Sequence, residues 1–221
     1  TREQQDEYAL RSLSRAKDAI TSGAFTREIV AVEVAGRNGV TVVDTDEQPG
    51  NAKPEKIPTL KPAFAKDGTI TAANASSISD GAAALVVTKE SVAKAQGLPI
   101  AARIIAWATN SQEPAKFTSA PVPAIRKVLE KAGWTVDDVD LFEINEAFAM
   151  VPMIAMKELG IPAEKLNVNG GATALGHPIG ASGARIIATL IAALQNRGLK
   201  KGVASLCIGG GEGTAIAVEL A

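Results

Sequence analysis

The stretch Asn167-Val-Asn-Gly-Gly-Ala-Thr-Ala-Leu-Gly-His-Pro-Ile-Gly-Ala-Ser-Gly183, followed after a helical run by Cys207-Ile-Gly-Gly-Gly-Glu-Gly-Thr214, decides how this chain is read. The sole histidine, His177, lies in the first block and the sole cysteine, Cys207, in the second. Nine of the 20 glycines fall in these two blocks. Glycine lets backbone approach a ligand closely and take positive φ. One imidazole and one thiol, each set in a glycine-rich turn, read as a reaction centre built from loops on a rigid scaffold. The run between the blocks, Ser182–Gln195, has a helical period with a broad apolar face. Gly202–Ile208 and Thr214–Leu220 read as two buried strands joined by the glycine turn, so they must be antiparallel neighbours.

Working outward, Val139–Ile144 reads as a strand and Glu146–Leu159 as a helix stopped by Gly160. Pro121–Ala132 is an amphipathic helix, Ala101–Thr109 a strand, Glu90–Gln96 a short helix and Ala82–Val87 a buried strand. Strands alternating with helices predict an α/β layered sheet. Thr69–Ser79 is small and polar, too short of apolar residues to be a core element. Asp44–Pro62, with four breakers at Pro49, Gly50, Pro54 and Pro58, reads as a long surface loop. Glu28–Val34 and Val40–Val43 form a hairpin around Gly36-Arg-Asn-Gly39. Thr1-Arg-Glu-Gln4 has the form of a capping box opening a helix to about Ser22, with Tyr8, Leu10, Leu13, Ala16 and Ile20 as its buried stripe.

The chain has 221 residues and a net charge of −1, with no broad basic surface to argue for nucleic acid. Its longest wholly apolar run, Ala147–Met156, is too short to cross a bilayer. A single cysteine leaves no internal disulfide and suits a reducing, cytoplasmic setting. The acidic residues show no metal-ligand spacing around His177, so metal-free chemistry is expected. Gly171–His177 has phosphate-loop spacing, but His and Pro stand where Lys and Ser/Thr must grip phosphate and magnesium.

Three residues stand out as chemistry, each beside a plainer reading. Asn145 follows a strand and precedes a helix, which favours an N-cap. The carboxyl end of a strand is also where open α/β sheets bind ligands. His177, held extended by Pro178, could be a satisfied structural histidine, but a core histidine does not need flanking glycines. Cys207 could be a small core hydrophobe. Against that, Gly209-Gly-Gly211 follow it, with N–H groups free to meet an oxyanion.

Asn145-Glu-Ala-Phe-Ala149, Asn169–Gly183 and Cys207-Ile-Gly-Gly-Gly211 resemble, in order and spacing, the three C-terminal signatures of the thiolases. Leu60-Lys-Pro-Ala-Phe64 and Thr71–Ala84 resemble that family's coenzyme A-binding segment. The resemblance implies a layered αβαβα fold, incomplete here. Residues 1–78 would be the C-terminal part of a CoA-binding loop domain, 79–97 the last strand and helix of an N-terminal domain, and 98–221 a C-terminal domain with a mixed five-stranded sheet. It implies thiolytic cleavage of 3-ketoacyl-CoA and the reverse Claisen condensation of two acetyl-CoA. His177 would activate a nucleophilic cysteine and share an oxyanion hole with a water held by Asn145. Cys207 would carry the α-proton, and the N–H of Gly209 would line a second oxyanion hole. Ser76, Phe64, Ala72, Ala147 and Phe148 would line the pantetheine tunnel. Coenzyme A is a substrate in this chemistry and no cofactor is implied. The implied nucleophilic cysteine is absent from the chain, so an N-terminal half is expected elsewhere and the chain alone is expected to be inactive. Gly50 stands where many members carry an arginine near the CoA nucleotide, with Lys53 the nearby cation. The implied assembly is a homodimer or homotetramer, with the 82–87 strand edge orphaned if the chain stands alone. The alternative is a non-catalytic CoA- or acyl-binding module of the same fold.

Overall fold

The computed structural model describes residues 1–37 and 39–221; Asn38, in the expected hairpin turn, lies outside the described residues. Helix α1 (Arg2–Ser22) opens on the capping box: Gln4 N donates to Thr1 Oγ1 at 3.3 Å, and the Thr1 amine donates back to Gln4 Oε1 at 2.8 Å. Gly23, in left-handed geometry, ends it. Its buried face holds Tyr8, Leu13 and Ala16 as expected, while Leu10 and Ile20 are only half-buried. Gln5, Asp6 and Ser12 are buried instead, so this face is wetted with polar groups.

Those groups meet the segment expected to lie outside the core. Thr71 and Asn74 are wholly buried. Asn74 Nδ2 donates to Asp6 Oδ1 at 2.9 Å and to Thr69 O at 3.0 Å, and Asn74 Oδ1 accepts from Thr71 N at 2.8 Å. Hydrogen bonding, which apolar counting does not register, seats this segment. Strands β1 (Val32–Gly36) and β2 (Gly39–Val43) pair as the expected hairpin, exposed on both faces. The surface loop after it contains helix α2 (Glu47–Asn51) and a 3-10 turn, Pro54–Thr59.

Ala82–Val87 is not a strand. It is without regular structure and unpaired among the described residues, with Val86 95% and Val87 70% exposed. Its continuous apolar run, Ala-Ala-Ala-Leu-Val-Val, is that of a buried sheet member, but nothing described lies beside it to complete a ladder. Helix α3 (Glu90–Ala95) follows.

The remaining chain builds a three-layer unit. Strands β3 (Ala102–Ser111), β4 (Leu141–Ile144), β5 (Lys201–Ile208) and β6 (Glu212–Leu220) form a mixed sheet in the order β3-β6-β5-β4. Only β4 and β5 are parallel; β5–β6 and β6–β3 are antiparallel. The fifth position of the expected sheet is a single parallel bridge, Phe142 to Leu166, beyond β4. Helices α4 (Pro121–Ala132) and α5 (Met150–Leu159) cover one face, where Ile125, Val128, Phe142, Ile144, Val203 and Cys207 share a core. Helix α6 (Ala172–Leu175) lies within the histidine-bearing stretch and α7 (Ser182–Arg197) leads out of it, covering the other face through Ile186, Leu190 and Leu194 against Leu141, Ala204 and Val218. Period-2 alternation along β4 divides its residues between the layers: Phe142 and Ile144 face α4, while Leu141 packs with α7. Burying a side chain such as Phe142 stabilises by roughly 1.5–3 kcal/mol. Among the described residues no helix is long and apolar enough to cross a membrane.

Candidate active site

The site lies at the carboxyl ends of the parallel pair β4–β5. The ladder pairs Ile144 with Ser205, and Asn145 N donates to Ser205 O at 2.9 Å. Asn145 therefore stands one step past the strand, level with the residue before Cys207. The expected helix begins only at Met150, so Asn145 is not its N-cap; Asn145 to Phe148 form the turn before it. Asn145 is 1% exposed and spends its side chain on the site.

Asn145 Nδ2 lies 3.3 Å from His177 Nε2, and His177 Nδ1 lies 2.6 Å from Ser182 Oγ. The Ser182 hydroxyl donates to Pro178 O at 3.0 Å. With its proton committed there, Ser182 accepts from Nδ1–H, which leaves Nε2 unprotonated and able to accept from Asn145. Burial, helped by the charge of Arg185, lowers the imidazole pKa below its usual value and favours this neutral form. Two backbone devices place the ring. His177 N donates to Ser77 O at 3.1 Å, tying the loop to the 76–79 segment, and Ala181 N and Ser182 N both close on Pro178 O. Gly176 (φ 98°) packs against Ser79 and Gln48 where a Cβ would collide.

Cys207 is the penultimate residue of β5, on the α4 side, 7% exposed and in contact with the apolar core. Burial pushes its thiol up to about 11. Among the described residues no hydrogen bond joins it to His177 or Asn145. Gly209 follows in the turn closed by Gly211 N donating to Ile208 O at 3.0 Å. Gly211 (φ 101°) lies against the Gln112 backbone, so the turn tolerates no side chain there.

Ser76, Ala147, Phe148 and Phe64 come together. Ser76 N and Oγ both donate to Ala147 O, at 3.1 and 2.9 Å, and Phe64 packs edge-on against Phe148 with centroids 6.3 Å apart. Phe117, from the 3-10 turn before α4, meets Phe148 on the same terms at 6.2 Å and was not read from the sequence. Ala72 lies elsewhere, lining a cavity of about 310 Å³ with Lys53, Lys56, Ala73 and Thr173.

Sequence reasoning also passed over three polar side chains. Glu146 is fully buried and accepts five hydrogen bonds: Tyr8 Oη (2.9 Å) and Asn167 Nδ2 (2.9 Å) on Oε1, and Ser12 Oγ (2.7 Å), Thr173 N (3.1 Å) and Thr173 Oγ1 (2.7 Å) on Oε2. It ties α1, the Asn145 turn and the histidine loop into one body. Burial beside it raises the Tyr8 hydroxyl well above its ordinary pKa. Arg185, on α7, donates to Glu143 Oε1 at 3.1 Å and to Asn145 Oδ1 at 3.3 Å. Burial pushes the Glu143 carboxyl up to about 8 against the pull of Arg185. The signal available was spacing: Ser182 and Arg185 lie three apart and so share a helix face.

The sequence of the thiolase C-terminal domain matches residues 98–220, and that of the thiolase N-terminal domain matches residues 1–91. The chain belongs to the thiolase family. It is 54% identical over 220 residues to an acetyl-CoA acetyltransferase of Escherichia coli, covering 99% of this chain and 56% of that one. The crystal structure of the Bacillus anthracis acetyl-CoA acetyltransferase superposes with a TM-score of 0.96 at 49% identity, over 100% of this chain and 56% of that one. Human mitochondrial 3-ketoacyl-CoA thiolase in complex with CoA superposes at 0.91 and 40% identity, over 100% of this chain and 55% of that one. This thiolase chain thus spans about half the length of the relatives it matches.

Proposed function

We propose that the chain supplies the base, the proton carrier and both oxyanion holes of a thiolase centre that interconverts acetoacetyl-CoA plus CoA with two acetyl-CoA. The observation that carries this is His177, held between Asn145 Nδ2 at 3.3 Å from Nε2 and Ser182 Oγ at 2.6 Å from Nδ1, at the strand end adjoining Cys207. The chain has one cysteine, and its thiol sits at about 11, which suits a proton carrier better than a nucleophile. The acylated thiol then belongs to further polypeptide. The uncovered 82–87 run supports its docking there, because Ser79–Ala83 line one depression with Pro178–Ala181 of the histidine loop.

In the degradative direction that outside thiol gives its proton to His177 Nε2, and its sulfur attacks the 3-keto carbonyl. Protonation turns Nε2 from acceptor to donor, so Nε2–H and the Asn145 amide, directly or through a water, converge on the new oxyanion. The carbon–carbon bond breaks as the carbonyl re-forms. The departing acetyl-CoA carbanion takes the proton of Cys207, its enolate oxygen stabilised by the Gly209 N–H. The thiol of CoA gives its proton to the Cys207 thiolate and attacks the acylated thiol's carbonyl, and His177 returns its proton to the departing enzyme thiolate. Phe64, Phe148, Ala147 and Ser76 offer an apolar wall with a polar edge for the pantetheine arm, and the Ala72 cavity with Lys53 and Lys56 takes a more distal part of CoA.

The test is loss of acetoacetyl-CoA on adding CoA, by the chain alone and by the chain joined to an N-terminal thiolase domain. Turnover by the joined form alone, abolished by Cys207→Ala, supports the reading. Turnover by the chain alone makes Cys207 the acylated residue and overturns the assignment. Binding of CoA with no turnover in either form supports the non-catalytic module.

A further inference from the structure

Glu143 and Arg185 have no part in the chemistry above, yet the hydrogen bonds they make end on the Asn145 amide. One turn of α7 presents Ser182 to Nδ1 of His177 and Arg185 to the amide beside Nε2, so both ring nitrogens are governed from the same helix face. Resting on the proposed function of the site, we propose that Arg185 is a positioning residue: it fixes the Asn145 amide with Nδ2 toward His177 and so keeps the Nε2 lone pair free to take a proton.

The argument is one of hydrogen-bond direction. A guanidinium offers five donors and no acceptor. Arg185 therefore accepts only Oδ1 of Asn145 as its neighbour, which sends Nδ2–H toward His177. At the other end of the chain Pro178 O can only accept, which sends the Ser182 hydroxyl away from Nδ1. With Arg185 fixing the Asn145 amide, and the Ser182 hydroxyl joining Ala181 N and Ser182 N on Pro178 O, every contact is satisfied with the ring proton on Nδ1. Turning the Asn145 amide over would set Nδ2 against Arg185, donor to donor, and place Oδ1 against Nε2. That arrangement selects the Nε2–H tautomer, which cannot act as base. It would also require Ser182 to release Pro178 O and donate to Nδ1.

Glu143 completes the device. It is 2% exposed, and its Oε1 accepts from Arg185 Nη1 whether or not the carboxyl is ionised, leaving Nη2 aimed at Asn145. The other charged groups facing Arg185 are Glu28, before β1, and Asp46, before α2; both feel its charge. Arg185 is the charged group that acts on His177.

His177 is the only histidine, so nitrogen-15 spectra of the labelled 221-residue chain report one imidazole. The expected wild-type spectrum shows a single neutral tautomer with the proton on Nδ1. A proton on Nε2 in the wild type overturns the proposal without any variant. Two substitutions probe the cause. R185K keeps the cation but offers one ammonium in place of a fork that reaches two partners. E143Q/R185M removes both charges, so no unpaired carboxylate is buried. In either folded variant the two ring nitrogen signals are expected to move toward each other as the second tautomer appears. In the assembled enzyme kcat is expected to fall on the order of tenfold or more at unchanged KM, as for a misoriented base. A wild-type tautomer retained in the folded variants overturns the proposal, because Ser182 and Pro178 then suffice. A tautomer shift with no acetoacetyl-CoA turnover by any wild-type assembly upholds Arg185's role and sinks the thiolase reading instead.

Discussion

Alkylation of Cys207 separates the two roles its thiol could play. The thiolate, not the thiol, reacts with iodoacetamide. Held at about 11, the Cys207 thiol is ionised to about 0.1% at pH 8, whereas an ordinary cysteine near 8.5 is about a quarter ionised. Ionisation alone therefore slows the reaction about 200-fold relative to a small free thiol, and burial at 7% exposure slows it further. Because the chain has no other cysteine, intact mass against time under excess reagent gives the rate directly. The rate should still be climbing tenfold per pH unit between pH 8 and 9, because the group is far below its midpoint. Denaturant should restore ordinary reactivity. Complete labelling of the folded chain within minutes at pH 7, or a rate that levels off below pH 9, would refute the reasoning. It would show a thiol activated for attack, and Cys207 would become a nucleophile rather than a proton carrier.

Replacing Glu146 with Ala leaves the Thr173 N–H and the buried Tyr8 and Ser12 hydroxyls without their acceptor, at about 1–3 kcal/mol each, so urea unfolding should show a loss of about 4 kcal/mol; a loss below 1 kcal/mol would mean that water replaces the carboxylate. Ser182→Ala removes the acceptor at Nδ1, and turnover by the assembled enzyme should fall on the order of tenfold or more with CoA affinity unchanged; an unchanged kcat would leave the tautomer to Asn145 alone. Since Glu143 is raised from 4.5 to about 8, the native chain holds a proton that the unfolded chain has lost across that window, so stability falls as pH rises through it. Glu143→Gln should flatten that part of the stability–pH curve, and an unaltered slope between pH 5 and 8 would count against the shift. His177 is shifted the other way, so the limb of rate against pH that reports its deprotonation should lie below 6.5; a limb above 7 contradicts the burial argument.

What the sequence disclosed and what it hid divide along a physical line. The capping box at Thr1, the left-handed stop at Gly160 after α5, and the antiparallel pairing of β5 and β6 across the glycine turn are local effects, each settled within a few residues, and they were legible, as was the stop at Gly23. His177 and Cys207 were legible for a different reason, since a glycine-rich turn around a reactive side chain is costly unless backbone must come close. Ala82–Val87 shows the limit of local patterning: its residues suit a strand, but a strand exists only where another lies beside it. Thr71, Asn74 and Glu146 show the converse. They are buried without being apolar, because donors from four segments of chain converge on them. No periodicity encodes that convergence; it comes into being only when α1, the 69–79 segment and the histidine loop close on one another. The same holds for Arg185, whose partners lie 40 and 42 residues away. Side chains of reactive type can be picked out from their chemistry and nearby glycines, while the contacts that orient them are set by long-range hydrogen-bond direction. A substitution at Arg185 should therefore alter the state of the His177 ring through Asn145, whereas one at Glu146 should loosen the body that α1 forms with the histidine loop.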